Sequence, residues 1–130
     1  MPHRKIEYTA NLDAETDIGA LCKSLARTVV GLKDEHGQPV FPLNGTRVLA
    51  YPAPHYAVGD GEGDGNGDGA FVYLNLRITP GRTPERLLAV GDALLASTKA
   101  HFASLLASRA LRITLHIDEG HPVYEGKAAS

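Results

Sequence analysis

Few residues in this chain are well placed for acid–base chemistry, and Pro2 comes first among them. It follows the initiator methionine directly and precedes the strand-like run His3-Arg4-Lys5-Ile6-Glu7-Tyr8. Methionine is readily trimmed from before so small a residue. Trimming leaves Pro2 with a free secondary amine on a rigid ring of fixed φ. An ordinary α-amino group titrates near ~8, and burial or a neighbouring cation lowers that value. An amine tuned towards neutral pH is a good general base. With Met1 retained, the same nitrogen is an amide without useful basicity.

Two arginines supply the complementary chemistry. Arg82 falls between the end of a strand and the Thr83-Pro84 start of a helix. A guanidinium there lies beside free helix N–H groups, a combination that suits a carboxylate. Arg47 opens a strand after the loop Phe41-Pro42-Leu43-Asn44-Gly45. Taken singly, either arginine also reads as an ordinary surface cation.

Other candidates carry less. His3, His36, His55, His101, His116 and His121 include no pair at ligand spacing on one helix, and no Cys/His cluster accompanies them, so no metal is expected. No Gly-x-Ser-x-Gly elbow occurs. Between Gly59 and Gly69, glycine alternates with Asp60, Glu62, Asp64, Asn66 and Asp68. A calcium loop begun at Asp64 puts Asn75 where a bidentate Glu is required. The carboxylates also repel phosphate, and no Gly-Lys-Ser/Thr follows. The segment reads as a solvated linker, with weak cation binding as the alternative.

The elements that must position these residues follow from pattern. The 130 residues, 43% of them hydrophobic, suit one domain with a proper core. A net charge of −2 gives no footprint for nucleic acid or a membrane surface. The apolar runs are too short to span a bilayer. The start has no apolar signal region, and the single cysteine, Cys22, fits a reducing compartment. A cytoplasmic location is therefore expected.

Ile6 and Tyr8 alternate with Glu7 and Thr9 as a short strand. Asn11 or Asp13 can cap a helix carrying Ile18, Leu21, Cys22, Leu25 and Val29 on one stripe. That stripe makes Cys22 a core residue rather than a nucleophile. Thr46–Tyr51 and Phe71–Ile78 read as strands. Thr83 at N-cap and Pro84 at N1 start a helix running to about Arg109. Its expected apolar face is Leu87, Leu88, Gly91, Leu94, Leu95, Thr98, Phe102, Leu105 and Leu106. Leu111–Ile117 is the last strand. The order is β-α-β, linker, β-α-β: unit one at about 2–58, the linker at 59–69, unit two at about 70–118 and a tail at 119–130. Each unit makes its two strands parallel. Side by side they form a four-stranded α+β sheet with both helices on one face. The bare opposite face then favours oligomerisation.

These pieces together resemble the 5-carboxymethyl-2-hydroxymuconate isomerase family of the tautomerase superfamily. The resemblance covers almost the whole chain. It is carried by Met1-Pro2-His3 with Glu7, Phe41-Pro42-Leu43-Asn44-Gly45-Thr46-Arg47, Ala70-Phe71-Val72, Leu76-Arg77-Ile78 and Gly81-Arg82. Lys99-Ala100-His101-Phe102, Ser108-Arg109 and His121-Pro122 extend it. It implies a trimer of β-α-β repeats and a cofactor-free 1,3-allylic keto–enol isomerisation. Pro2 is then the base, and Arg47 and Arg82 bind the substrate. The implied substrate is a small polycarboxylated 2-hydroxydienoate from the breakdown of aromatic compounds, downstream of homoprotocatechuate ring cleavage. A different tautomerase-superfamily activity, dehalogenation included, and a non-catalytic trimer that keeps Met1 are the alternatives. The chain departs from the family at Arg4-Lys5, where an apolar pair is expected, and in the Gly/Asp-rich linker. If the first strand alternates, Arg4 shares a face with Pro2, Ile6 and Tyr8. It then points towards the site or a subunit contact, or lies exposed at an edge.

Overall fold

The computed structural model describes residues 3–59, 69–121 and 123–130. Pro2 and nearly all of the Gly/Asp-rich segment lie outside the described residues.

Strand β1 (His3–Thr9) leads through a 3₁₀ turn (Ala10–Ala14) into helix α1 (Ile18–Gly31). A second 3₁₀ turn (Leu43–Gly45) precedes β2 (Arg47–Ala53). Then come β3 (Ala70–Ile78), α2 (Pro84–His101), α3 (Ala103–Ser108) and β4 (Leu111–Glu119). The strands form one sheet in the order β2-β1-β3-β4. β1 and β2 are parallel, as are β3 and β4, while the central pair β1–β3 is antiparallel. The two β-α-β units are therefore joined head to tail across the middle of the sheet, with both helices on one face.

Alternation explains the core. Ile6 and Tyr8 of β1 face the helices with Ala70, Val72, Leu74, Leu76 and Ile78 of β3, all buried. Ile18, Leu21, Leu25 and Val29 of α1 meet them. Cys22 packs against this cluster, and burial pushes its thiol pKa up, as suits a core residue. The other sheet face carries Leu49 and Tyr51, both exposed.

Several expectations are corrected. Neither Asn11 nor Asp13 caps α1. Residues 10–14 coil into the 3₁₀ turn that buries Leu12, so the helix starts later. Asp17 caps it, accepting the Ala20 N–H at 3.0 Å. Asp13 instead accepts the Tyr8 hydroxyl at 2.6 Å, and the Asn11 amide donates to the Gly69 carbonyl at 3.2 Å. The long second helix breaks at Phe102, whose φ of −94° and ψ of 11° depart from helical values. Just before the break, the Thr98 hydroxyl donates to the Leu94 carbonyl at 2.8 Å, a contact that bends helices. The break accompanies complete burial of the Phe102 ring. The inward face of α2 is Val90, Leu94 and Thr98, while Leu88 is 67% exposed. Arg4 is not an exposed edge charge. It faces the core beside Ile6 and is 1% exposed.

Candidate active site

Parallel pairing within each unit and antiparallel pairing between units bring four strand ends together. β1 and β2 start where β3 and β4 finish. His3 pairs in register with Arg47 on one side and Arg77 on the other, and Arg77 pairs with Asp118. The loop before β2 arrives at the same end, anchored by the buried Phe41 ring. Its last turn is closed by the Thr46 hydroxyl donating to the Pro42 carbonyl at 2.9 Å.

The exits of β3 and β4 are lashed to each other. The Gly120 N–H donates to the Ile78 carbonyl at 2.8 Å, and the Gly81 N–H donates to Glu119 Oε2 at 3.1 Å. Gly81 has φ +119°, a conformation that favours glycine. It turns the chain so that Thr83 can cap α2, accepting the Arg86 N–H at 3.2 Å.

Arg47 and Arg82 reach this end of the sheet in different states. Arg47 is exposed and opens onto a cavity of about 530 Å³ lined also by His3, Arg77, Thr79, His121 and Lys127. Among the described residues it has no hydrogen-bond or ion-pair partner. Arg77 differs in being held at 3.2 Å by Asp118, which also accepts the Asn75 amide at 2.9 Å.

Arg82 does not line that cavity. Its guanidinium donates to the Thr79 carbonyl at 2.9 Å and the Val40 carbonyl at 3.3 Å. It lies 4.6 Å from the centroid of the Phe41 ring, a cation–π contact. Burial lowers its pKa, partly offset by Glu119. Sequence reasoning aimed this group at the helix N–H groups. The structure turns it onto two carbonyls, so that Arg82 braces Thr79, one wall of the cavity, against the Phe41 loop.

Arg77, His121 and Lys127 are lining residues that sequence reasoning did not select. In the tail, the Thr79 hydroxyl donates to Glu125 at 3.2 Å and the Val123 N–H to His121 Nδ1 at 3.2 Å. Those contacts bring the tail over the cavity. The alternation of Leu76-Arg77-Ile78 was the available signal for Arg77, since it leaves that side chain on the face opposite the core. A larger hollow of about 720 Å³ between α2 and β4 is lined mainly by Leu87, Leu88, Leu95, Ile113 and Ile117. It offers no set of cations.

A family model described as 5-carboxymethyl-2-hydroxymuconate isomerase matches residues 2–130. The chain belongs to the 5-carboxymethyl-2-hydroxymuconate isomerase family. A curated 5-carboxymethyl-2-hydroxymuconate Delta-isomerase from Escherichia coli is 31% identical over 98% of this chain and 93% of its own length. A crystal structure of a 5-carboxymethyl-2-hydroxymuconate delta-isomerase matches with a TM-score of 0.93 and 43% identity, covering 99% of this chain and 89% of the other. A 5-carboxymethyl-2-hydroxymuconate isomerase from Deinococcus radiodurans R1 gives 0.85 and 33%, covering 99% and 90%. The isomerase-family fold therefore extends over essentially the whole chain.

Among the described residues no helix is long and apolar enough to cross a membrane.

Proposed function

We propose that this chain is a cofactor-free isomerase that moves a proton through a 1,3-allylic keto–enol shift. Its substrate is a small polycarboxylated 2-hydroxydienoate of the 5-carboxymethyl-2-hydroxymuconate type, formed in the breakdown of aromatic compounds. Pro2, freed by removal of Met1, is the general base, and Arg47 and Arg82 bind the substrate. The observation that carries this reading is Arg47. Among the described residues it is an unpaired guanidinium in register with His3, the residue covalently joined to Pro2, and it opens onto a cavity that Arg77 and Lys127 also line.

In this mechanism the neutral amine takes the proton of the 2-hydroxyl group. The oxygen lone pair forms the carbonyl, the double bonds shift, and the remote carbon takes the same proton back from the ammonium. Atoms and charge balance without a further reactant. Negative charge builds on the 2-oxo and carboxylate oxygens during transfer, and a guanidinium already in place stabilises it without reorganising. A carboxylate gripped by arginine also fixes which carbon faces the base. Among the described residues Arg82 spends two of its five N–H groups on carbonyls and keeps three. Its first role is to hold Thr79 and the Phe41 loop in position, and its second is to offer those remaining donors to substrate.

The apolar residues of the outer sheet face, Leu49 and Tyr51, support a homotrimer that covers them, which native mass spectrometry measures directly. The chemical test is intact mass followed by ultraviolet assay of dienol conversion on the same preparation. The mature chain is expected to start at Pro2, and Pro2→Ala to lose roughly 10²-fold or more in turnover. Unchanged turnover in that variant, or an active protein that keeps Met1, refutes the assignment.

A further inference from the structure

Arg4 takes no part in the site described above, and among the described residues nothing in the core answers its charge. It is 1% exposed, and Nε, Nη1 and Nη2 all lack a hydrogen-bond partner. Its register neighbours are Val48 on β2 and Leu76 on β3. Helices α1 and α2 present Ile18, Leu21, Leu25, Val29, Val90 and Leu94 to the core. The other buried polar residues are Thr9 and Thr98, and both hydroxyls are engaged elsewhere, Thr9 with the Phe71 N–H and Thr98 with the Leu94 carbonyl. Burying a guanidinium without a countercharge is costly. Burial pushes this one down only to about 10, so it stays protonated throughout the neutral range. Among the described residues the chain thus keeps a buried positive charge with no countercharge, two residues from position 2.

We propose that Arg4 is a positioning residue for the Pro2 base: its buried charge disfavours the ammonium form and holds the amine neutral and ready to accept a proton. The proposal rests on the reading of Pro2 as a free, basic terminus. Covalent geometry alone keeps the Cα atoms of residues 2 and 4 within about 7.6 Å of each other. Adding the length of the arginine stem keeps the amine within about 16 Å of the guanidinium, and at an effective dielectric of about 20 a like charge there still disfavours the ammonium roughly fivefold. Burial shields the effect from salt.

Other charges at this end of the sheet are balanced or bathed in water. Arg77 is paired with Asp118. Glu119 accepts from the Gly81 N–H, and Glu125 from Thr79. In the loop after α1, Asp34 accepts the His36 and Gln38 N–H groups, and Glu35 pairs with Arg86. Arg47, His3, His121 and Lys127 are exposed, so water and salt weaken their influence on the amine. Arg82 is half-buried and adds to Arg4 in the same sense.

The test reads the amine itself. The pH dependence of N-terminal alkylation by iodoacetamide is followed by mass spectrometry of the N-terminal peptide, in the parent chain and in Arg4→Met and Arg4→Gln. Both variants remove the charge, one keeping an apolar and the other a polar side chain. Each is expected to raise the apparent pKa of the amine by about one, and to move the acid limb of kcat/KM the same way. In the parent, the value is expected to hold between about 20 and 500 mM salt, because its source is buried. This arm needs no variant to fold. An unchanged amine in trimmed, folded variants, or a parent value that climbs with salt, overturns the role of Arg4 and leaves Pro2 as the base. A chain that retains Met1 overturns both.

Discussion

Replacing Arg4 by Met keeps an unbranched side chain of similar reach in the core and removes a charge that nothing offsets among the described residues. Its effect on stability follows from linkage. Burial lowers the guanidinium pKa from its ordinary range above 12 to about 10. The folded state therefore holds the proton less tightly than the unfolded chain, which costs stability wherever both states are protonated. A difference of roughly two and a half pKa units at 1.36 kcal/mol each is about 3 kcal/mol at neutral pH. The aliphatic stem of Arg4 also packs, and part of that packing is lost. The net expectation is a variant more stable by about 1–3 kcal/mol. For a domain of this size that raises Tm by roughly 3–12 °C. The pH dependence has a definite sign. The penalty is present in full below about 10 and is relieved as pH rises from there into the ordinary arginine range, so the gap between variant and parent narrows on going alkaline. Thermal denaturation followed by circular dichroism at pH 7 and at pH 10.5 measures both. A variant that melts lower than the parent at pH 7 refutes the reasoning. It means that a carboxylate answers Arg4 in the working assembly, and the role proposed for Arg4 towards Pro2 then falls with it.

Arg47→Ala removes an exposed guanidinium that has no partner among the described residues. It is expected to lower kcat/KM by about 10–100-fold while changing stability by less than about 0.5 kcal/mol; steady-state kinetics with a melting curve shows whether the two separate. Arg82→Ala frees the Val40 and Thr79 carbonyls and the Phe41 face together, so it is expected to lose about 1–3 kcal/mol of stability as well as activity. Retention of full stability on denaturant titration counts against the brace. Tyr8→Phe breaks the hydrogen bond to Asp13 and is expected to cost about 1 kcal/mol. Burial, then Asp13, pushes the Tyr8 phenol up to about 12. The folded state therefore keeps that proton longer, and stability present below the ordinary tyrosine value is lost as pH rises towards 12. Alkaline titration of the parent at 295 nm, compared with Tyr8→Phe, should show one tyrosine ionising late.

The strands and helix starts were legible because each rests on local physics. β3 alternates along its whole length, and Thr83-Pro84 places a cap and an N1 proline in the only order that suits a helix start. The end of α2 was not legible. Nothing in the pattern Thr98–Leu106 separates a straight apolar face from one that breaks to sink Phe102. The α1 cap was missed because Asn11, Asp13 and Asp17 are equally good capping types, and the burial of Leu12 chooses among them only in three dimensions. At the site, Arg47 could be selected from its place at a strand start. The orientation of Arg82 could not, since it depends on Phe41 and Val40, some forty residues away. The share of the tail in the cavity was hidden for a similar reason. Contacts such as the hydrogen bonds to Thr79 and within the turn at His121 are announced by no periodicity. Alternation did put Arg4 on the face of Ile6 and Tyr8. Charge argued against burial there, and the tertiary fold overrode it.

The doubled architecture gives a reason for the chemistry to sit at one end of the sheet. Two β-α-β units packed about an antiparallel β1–β3 pair create two equivalent corners. At one, β1 and β2 begin beside the ends of β3 and β4. At the other, β3 and β4 begin beside the ends of β1 and β2. The second corner has a hollow of its own, about 470 Å³, but Tyr8, Ala53, Tyr56, Val58, Phe71 and Tyr73 line it, and among the described residues Glu7 is its one charged residue. The first corner gathers Arg47, Arg77, His3, His121 and Lys127. Backbone geometry does not distinguish the corners, but chain connectivity does. Ala70 enters β3 from the Gly/Asp-rich segment as an ordinary amide, so no trimming of the chain start could free a basic nitrogen there. His3 is preceded by Pro2 and a methionine. On the proposed reading of Pro2 as a freed terminus, β1 is the strand start that carries the amine, and among the described residues Arg47, Arg77 and Lys127 line the cavity beside it.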